Sequence, residues 1–302
     1  MEAEARWRGM GADIHVIING DPLLMRFVRR QLDQLENKWS RFLPYSEITK
    51  LNNSTGAPFE VSPETAELIV HALEGYRITN GIFDPTILGD LLRLGYHTSF
   101  VALEDADAPE VVSELKRGAS DIKVNGNQIT LPLGAGFDPG GIGKGFAADL
   151  IAEEVMKRGA SGVLINVGGD IRVMGKSPEG GGWKIDITDH NNNVIECVVL
   201  SHGAIATSTT MKRTWSHEDH VVHHLIDPAL GINADTHVML ASVITAQCWQ
   251  AEILTKALMI GKTDMGMKLT QELGAQALSY TSDNEFVTTQ GWDSFRCEEV
   301  CV

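Results

Sequence analysis

The feature that most constrains this chain is a glycine-rich stretch, residues 137–149, with the sequence FDPGGIGKGFAAD. A hairpin signal with an Asn125-Gly126 turn precedes it, over residues 122–131. An amphipathic run that reaches Gly159 follows it, with apolar residues at helical spacing. The glycines are therefore predicted to lie between a strand and a helix, where backbone N–H groups can approach a ligand closely.

This loop has the features of an anion site. A helix N-terminus attracts anions, and Lys144 adds a full positive charge in the first turn. The glycine spacing matches neither the Walker A motif nor Gly-x-Gly-x-x-Gly, and no Ser or Thr follows the lysine. We predict a loop that binds phosphate. The alternative is a glycine-rich turn with a solvated lysine, since short glycine-rich matches often arise by chance.

Charge and composition exclude one class of partner. The chain has 302 residues, 43% of them hydrophobic, which fits a globular protein of one large or two modest domains. Lys and Arg number 25 against 40 Asp and Glu, a formal net charge of −15. This balance argues against a nucleic-acid surface, and an anionic ligand would need local positive groups.

Cysteine usage and the N-terminus indicate the compartment. The four cysteines (Cys197, Cys248, Cys297 and Cys301) are widely spaced and form no Cys-x-x-Cys motif. We therefore expect reduced thiols and a cytoplasmic protein. The first residues lack the apolar segment of a signal peptide, although a chain whose leader had been removed would look the same. No apolar stretch is long enough to span a membrane.

The order of predicted elements favours an α+β fold with mixed, largely antiparallel sheets flanked by helices. Strands are predicted over residues 12–18 and 162–167, and a hairpin over 183–200. Helices are predicted over residues 22–39, 62–79 and 247–260, the second with Ser62 as N-cap and Pro63 at its first position. An acidic loop, Glu104 to Pro109, is the best candidate for a linker. Hairpins and helices do not alternate strictly, which argues against a Rossmann sheet.

Seven short motifs in register resemble the ApbE family of FAD:protein FMN transferases (flavin transferases). Each motif alone is weak, but the order of all seven is specific, and the resemblance runs from about residue 8 to residue 261. The motifs are Met10-Gly11, Ser40 to Asn52, Phe83 to Thr86, Asp138 to Asp149, Asn166 to Asp170, Ala206 to Ser208 and His224 to Gly231.

The resemblance implies both a fold and an activity. We expect one ApbE-like domain over residues 1–302, divisible into two lobes that meet at the FAD site. Such a protein is a flavoprotein transferase. It moves the FMN part of FAD to a Thr hydroxyl of an acceptor protein that carries a flavinylation motif, and it releases AMP. The chain has no obvious acceptor motif of its own. Two alternatives stay open: an FAD-binding protein without catalysis, and a metal-dependent pyrophosphatase that converts FAD to AMP and FMN.

The resemblance also assigns roles in FAD binding. It places the flavin near Met10 and Phe42, ribose or adenine groups near Asp84 and Asp138, and the pyrophosphate near Lys144. The alternatives are core packing for Met10 and Phe42, and Asx turns or caps for the two aspartates. The full predicted cofactor-binding set is Met10, Phe42, Phe83, Asp84, Pro85, Thr86, Asp138, Gly140, Gly141, Lys144, Thr207, Ser208, Ile226 and Lys256.

His224 is the candidate general base for this chemistry. A hydroxyl is a poor nucleophile at neutral pH, and an imidazole suits its activation. The alternative is a structural histidine before the Asp227-Pro228 pair. His217, His220 and His223 crowd the same segment, but their spacing matches no common zinc site.

The predicted magnesium site is where the chain departs from the family pattern, Ala-Asp-x-x-x-Thr on a helix. Here Glu252 replaces the aspartate and Lys256 replaces the threonine. An ammonium group cannot ligate a metal. Either Glu252, Thr255 and a loop carbonyl near Gly141 still hold Mg²⁺, or Lys256 neutralises the phosphates itself. A third alternative is that Glu252 and Lys256 form only a surface ion pair.

Overall fold

The computed structural model describes residues 1–98, 116–212, 214–217, 220–261 and 263–297. The chain divides into two compact units. The first unit comprises Met1–Asp33, Lys144–Met211 and Thr236–Val302, and the second comprises Gln34–Gly143 and Lys212–Asp235. The linker predicted at Glu104 to Pro109 lies outside the described residues.

Helices and strands are named in chain order. The described helices are α1 (Leu24–Trp39), α2 (Glu47–Asn52), α3 (Pro63–Ile78), α4 (Leu88–Arg93), α5 (Gly143–Lys157), α6 (Cys248–Ile260) and α7 (Thr263–Glu272). The described strands are β1 (Glu2–Gly9), β2 (Ala12–Asn19), β3 (Phe59–Glu60), β4 (Lys123–Asn125), β5 (Gln128–Thr130), β6 (Gly162–Val167), β7 (Asp170–Gly175), β8 (Trp183–Thr188), β9 (Val194–Leu200), β10 (Gly203–Thr209), β11 (Thr214–His217), β12 (His220–His223), β13 (Ile226–Asp227), β14 (Ile232–Asn233), β15 (Val238–Thr245), β16 (Gln276–Thr281) and β17 (Phe286–Thr288).

A large antiparallel sheet forms the centre of the first unit. Eight of the described strands lie in the order β1-β2-β6-β7-β10-β15-β16-β17, and every neighbouring pair is antiparallel. Strands β8 and β9 form a separate hairpin, as predicted. The α+β prediction is confirmed. Strands β1, β7 and β15 had not been predicted from the sequence.

Burial explains which strands the sequence revealed. On β2 every second side chain is buried, which is the alternation expected of a strand with one covered face. Strand β6 is buried at nearly every position, as in a strand covered on both faces. Helix α6 packs against β10 and β15 and is buried almost all round, so its polar residues lie inside the unit.

The second unit contains α2, α3 and α4 and a small sheet in the order β3-β5-β4. The predicted Asn125-Gly126 hairpin is present, with Gly126 at a φ of +59° as a tight turn requires. Helix α3 begins at Pro63 after Ser62, as predicted. It ends before Asn80 and Gly81, both of which have positive φ.

The cysteine prediction is wrong in part, because Cys197 and Cys297 form a disulfide across 100 residues of chain. Sequence spacing could not reveal this pair, because the two residues meet only in the folded structure. There the segment that ends at Cys297 lies beside β9. Cys248 is free and buried, and burial raises the pKa of its thiol well above the usual value. In the part of the chain that is described, we find no helix long and apolar enough to cross a bilayer.

Candidate functional site

The residues predicted for the site belong to both units of the chain, and each unit is described by itself. In the first unit they are Met10, Lys144, Thr207, Ser208, Glu252, Thr255 and Lys256. In the second unit they are Phe42, Phe83, Asp84, Pro85, Thr86, Asp138, Gly140, Gly141, His224 and Ile226.

Lys144 stands in the first turn of α5 and is the centre of a buried charge cluster. Its Nζ donates to the Asp170 carboxylate at the start of β7. It also lies 2.9 Å from Oε1 of Glu252 on α6. The Lys144 side chain is only 13% exposed. The lysine that we predicted as solvated or phosphate-bound is therefore held by two carboxylates.

Both carboxylate oxygens of Glu252 have a hydrogen-bond or ion-pair partner. Oε2 accepts the backbone N–H of Gly145 at 2.7 Å. Oε1 faces Lys144 and also Nζ of Lys256, the latter at 3.5 Å. Glu252 is fully buried and Lys256 is 8% exposed. The alternative of a surface ion pair on a solvated helix is therefore wrong. We call Lys144, Asp170, Glu252 and Lys256 the four-charge cluster.

The protonation of the cluster follows from burial and from its own charges. Burial raises the pKa of Asp170, and the neighbouring Glu252 carboxylate raises it further, while Lys144 and Lys256 oppose the shift. Burial also disfavours the charged form of Glu252, but Lys144 and Lys256 outweigh it, so the pKa of Glu252 falls. Glu252 is thus the carboxylate that the lysines keep ionised.

The loop glycines have a role in packing, whether or not they also contact a ligand. A Cβ on Gly145 would lie 2.6 Å from the backbone oxygen of Cys248, so only glycine lets α5 approach the start of α6 this closely. The N–H groups of Gly140, Ile142, Gly143 and Gly145 all donate within the protein, to Asp138, to Pro139 twice and to Glu252. The prediction that loop N–H groups are aimed at a ligand is wrong for these four.

A buried carboxylate that we had assigned no role, Asp149, fixes the start of α6. Its oxygens accept the backbone N–H groups of Cys248 and Trp249, each at 2.9 Å. The Arg172 guanidinium lies 3.1 Å from the same carboxylate. Burial raises the pKa of Asp149 to about 7, although the two N–H donors and Arg172 oppose it. The sequence signal was its place as the last residue of the glycine-rich motif.

The two hydroxyl residues of the Ala206 to Ser208 motif are engaged within the first unit. Thr207 shares a hydrogen bond with Ser242 and Ser208 shares one with Thr255, both at 2.8 Å. Thr255 also donates to the backbone oxygen of Glu252 at 2.8 Å. The Thr255 hydroxyl proton therefore points to its own helix, not toward a ligand.

In the second unit the structure brings two predicted motifs together. Asp84 accepts the N–H and the hydroxyl of Thr86, which makes the Asx turn given as its alternative role. The backbone N–H of Asp138 donates to the oxygen of Pro85 at 2.7 Å. Phe83 is buried beside them. The Phe83 to Thr86 segment and Asp138 thus lie side by side, as two parts of one site would.

Asp138 has a charged partner that sequence reasoning missed. Arg41 lies 2.7 Å from its carboxylate, and both side chains are 7% exposed. The Arg41 guanidinium also stacks over the rings of Phe42 and Tyr96, 4.2 Å and 4.7 Å from their centroids. Phe42 therefore already carries a cation on its ring. The sequence signal for Arg41 was only its position beside Phe42.

The remaining predicted residues lie in three further places. Met10 has a φ of 50° in the turn between β1 and β2. His224 is half-buried between β12 and β13, where the Asn233 side chain donates to the backbone oxygens of its neighbours His223 and Leu225. Ile226 is fully buried, its backbone included.

Of the histidines that crowd the His224 segment, His223 has a side chain that the structure describes. His223 accepts the N–H of Leu225 on Nδ1, and burial lowers its pKa, as for a structural histidine. Among the residues that the structure describes, no three His, Cys, Asp or Glu side chains are grouped so that they could hold a metal ion.

The residues at the expected magnesium position do not fit that ion. Mg²⁺ needs several oxygen ligands at about 2.1 Å. Glu252 has both oxygens engaged by cationic or N–H donors, and an ammonium group stands where the second ligand is expected. The predicted ligand set of Gly141, Glu252 and Thr255 therefore does not suit Mg²⁺. The Thr255 hydroxyl is already hydrogen-bonded to Ser208 and to the backbone oxygen of Glu252.

Comparison with known proteins extends this description. The FAD:protein FMN transferase of Vibrio cholerae is 24% identical over 251 residues, which are 81% of this chain and 75% of that protein. The protein of the same name from Chlamydia muridarum is 29% identical over 238 residues, 75% of this chain and 71% of its own length.

Solved structures share the fold. The crystal structure of the ApbE protein from Thermotoga maritima superposes with a TM-score of 0.88 at 23% identity, covering 99% of this chain and 100% of that one. The flavin transferase ApbE from Vibrio cholerae gives a TM-score of 0.81 at 23% identity, with 98% and 99% covered. The sequence pattern of the ApbE family matches residues 10–279. The chain therefore belongs to the ApbE family.

Proposed function

We propose that this chain transfers the FMN part of FAD to a Thr hydroxyl of an acceptor protein and releases AMP. Two observations support the proposal. The chain belongs to a family whose similar members are named FAD:protein FMN transferase. The single observation that carries it in the structure is the four-charge cluster, because two largely buried ammonium groups at the start of α5 and on α6 suit a pyrophosphate.

The reaction is a phosphoryl transfer. The acceptor oxygen forms a bond to the phosphorus of the FMN half of FAD. The bond from that phosphorus to the bridging oxygen breaks, and AMP leaves with the electron pair. His224 takes the proton of the hydroxyl as general base. The protein contributes mainly position and electrostatic stabilisation, as in phosphoryl transfer generally.

We also propose roles for individual residues. Met10 and Phe42 would hold the flavin, Asp84 and Asp138 the ribose or adenine groups, and Lys144 the pyrophosphate. Because Asp138 already pairs with Arg41, we propose that Arg41 and Asp138 act together. A cytoplasmic location is also a proposal, and the Cys197–Cys297 disulfide weighs against it because such bonds persist mainly in oxidising compartments.

The test is to incubate the purified protein with FAD and a candidate acceptor domain that carries a Thr-containing flavinylation motif. We expect the intact mass of the acceptor to grow by one FMN group, with one AMP released per acceptor. Release of AMP and free FMN without an acceptor would instead support a pyrophosphatase. Bound FAD with no turnover at all would support a binding protein.

A further inference from the structure

We propose that Lys256 takes the place of a divalent cation beside the pyrophosphate of FAD, so that this chain transfers FMN without added metal. The inference rests on the proposed function and concerns the same site.

The first support is the position in which Lys256 is held. It lies one helical turn after Glu252 on α6, with its Nζ 3.5 Å from the Glu252 carboxylate, and both residues are buried. Helix α6 is fixed at its start by Asp149, which accepts the N–H groups of Cys248 and Trp249. A charge on a buried, anchored helix is positioned before the substrate arrives, which is what electrostatic stabilisation requires.

The second support is the charge balance of the cluster. Lys144 and Lys256 contribute two positive charges, and Asp170 and Glu252 contribute two negative charges when ionised. A divalent cation bound to Glu252 would have to displace the ammonium groups that face its carboxylate. Displacing them is costly in a buried site, because it leaves buried ammonium groups without their partner. Each carboxylate is thus paired with at least one lysine, and the carboxylates hold the lysines in place.

The third support is the chemistry that the two lysines supply. A bound pyrophosphate brings two negative charges, and two ammonium groups can each donate charge-assisted hydrogen bonds to it. When the bond to the bridging oxygen breaks, negative charge grows on the AMP phosphate. An ammonium group beside that oxygen stabilises this charge without ligating it, and a buried environment strengthens the effect.

The main experiment measures FMN transfer by the wild-type protein in EDTA and in Mg²⁺. We expect the two rates to agree within about twofold. A loss of about tenfold or more in EDTA that Mg²⁺ restores would overturn the inference. If no transfer occurs in either condition, the proposed function fails, and the binding measurements below still test the role of Lys256.

The second experiment measures FAD affinity in EDTA by fluorescence quenching. Lys256→Met should weaken binding by about tenfold to 100-fold, the scale for losing a hydrogen bond to a charged group, and Lys256→Arg should restore most of it. The matched control is Lys268→Met on α7, whose exposed side chain lies 3.8 Å from Glu272 at the same helical spacing. Equal affinity in wild-type protein and Lys256→Met would overturn the inference.

A third experiment measures Mn²⁺ binding to the FAD-loaded protein by electron paramagnetic resonance. We expect no stoichiometric Mn²⁺ in the wild-type protein. The variant carrying both Glu252→Asp and Lys256→Thr should bind one ion, because the change removes an ammonium group and adds a hydroxyl ligand. One tightly bound Mn²⁺ in the wild-type protein would overturn the inference, even if the double variant fails to fold.

Discussion

Asp149 accepts the backbone N–H of Cys248 at 2.9 Å, a hydrogen bond that ties the middle of α5 to the start of α6. The two residues are 99 positions apart. The same carboxylate accepts the N–H of Trp249 and faces Arg172. Since α5 carries Lys144 and α6 carries Glu252 and Lys256, this contact holds the two halves of the four-charge cluster together.

The raised pKa of Asp149 predicts how the stability of the protein depends on pH. Its pKa near 7 in the folded protein lies above the usual value of an aspartate, so the folded protein binds the extra proton between about pH 4 and 7. The stability from this proton is complete below about pH 4 and is lost as the pH rises through about 7. The difference in free energy of unfolding between wild-type protein and Asp149→Asn should therefore be larger near pH 5 than near pH 8. Urea unfolding measures it, and a larger difference near pH 8 would show that the folded protein keeps Asp149 ionised.

Lys144→Ala should weaken FAD binding by about 1–3 kcal/mol, the cost of losing a hydrogen bond to a charged group. Isothermal titration calorimetry measures the affinity, and the melting temperature checks the fold, because the change leaves Asp170 and Glu252 with one cation fewer. Lys157→Ala is the control, since Lys157 lies at the end of the same helix and is 69% exposed. Unchanged affinity in Lys144→Ala would remove Lys144 from the pyrophosphate site.

His224→Ala should leave FAD affinity nearly unchanged and slow FMN transfer by about 10²–10⁴, the usual worth of a general base. The measurement is the rate of FMN addition to the acceptor with saturating FAD. His71→Ala serves as control, because His71 lies on α3 among Glu67 and Glu74 and belongs to no predicted site. If His224→Ala keeps the wild-type rate, the base is another group and His224 is structural.

The Cys197–Cys297 disulfide should contribute about 2–4 kcal/mol to stability, because it closes a long loop in the unfolded chain. Replacing both residues by serine should lower the urea midpoint by a corresponding amount. Peptide mapping without reductant should recover the two cysteines in one linked fragment. Recovery of both as free thiols from protein purified without reductant would contradict the disulfide and restore the prediction of reduced cysteines.

Local chemistry in the sequence determined most of the elements. The alternation on β2, the Asn125-Gly126 turn and the Ser62-Pro63 start of α3 each depend on neighbouring residues alone, and all three are present. Strands β7 and β15 escaped prediction, since burial on both faces hides the alternating pattern. Strand β1 also escaped prediction, although every second side chain along it is exposed.

Tertiary structure decided the partners of the charged side chains. The sequence showed that Glu252 and Lys256 lie one helical turn apart. It did not show that they are buried inside the unit, nor that Glu252 lies beside a lysine 108 positions earlier. The sequence also identified Gly145 and Asp138 as motif residues. Only the fold showed that Gly145 packs against Cys248 and that Asp138 pairs with Arg41. Spacing along one element determines which side chains share a face. Packing between elements determines which charges meet and how much water they lose, and so which of them remain ionised.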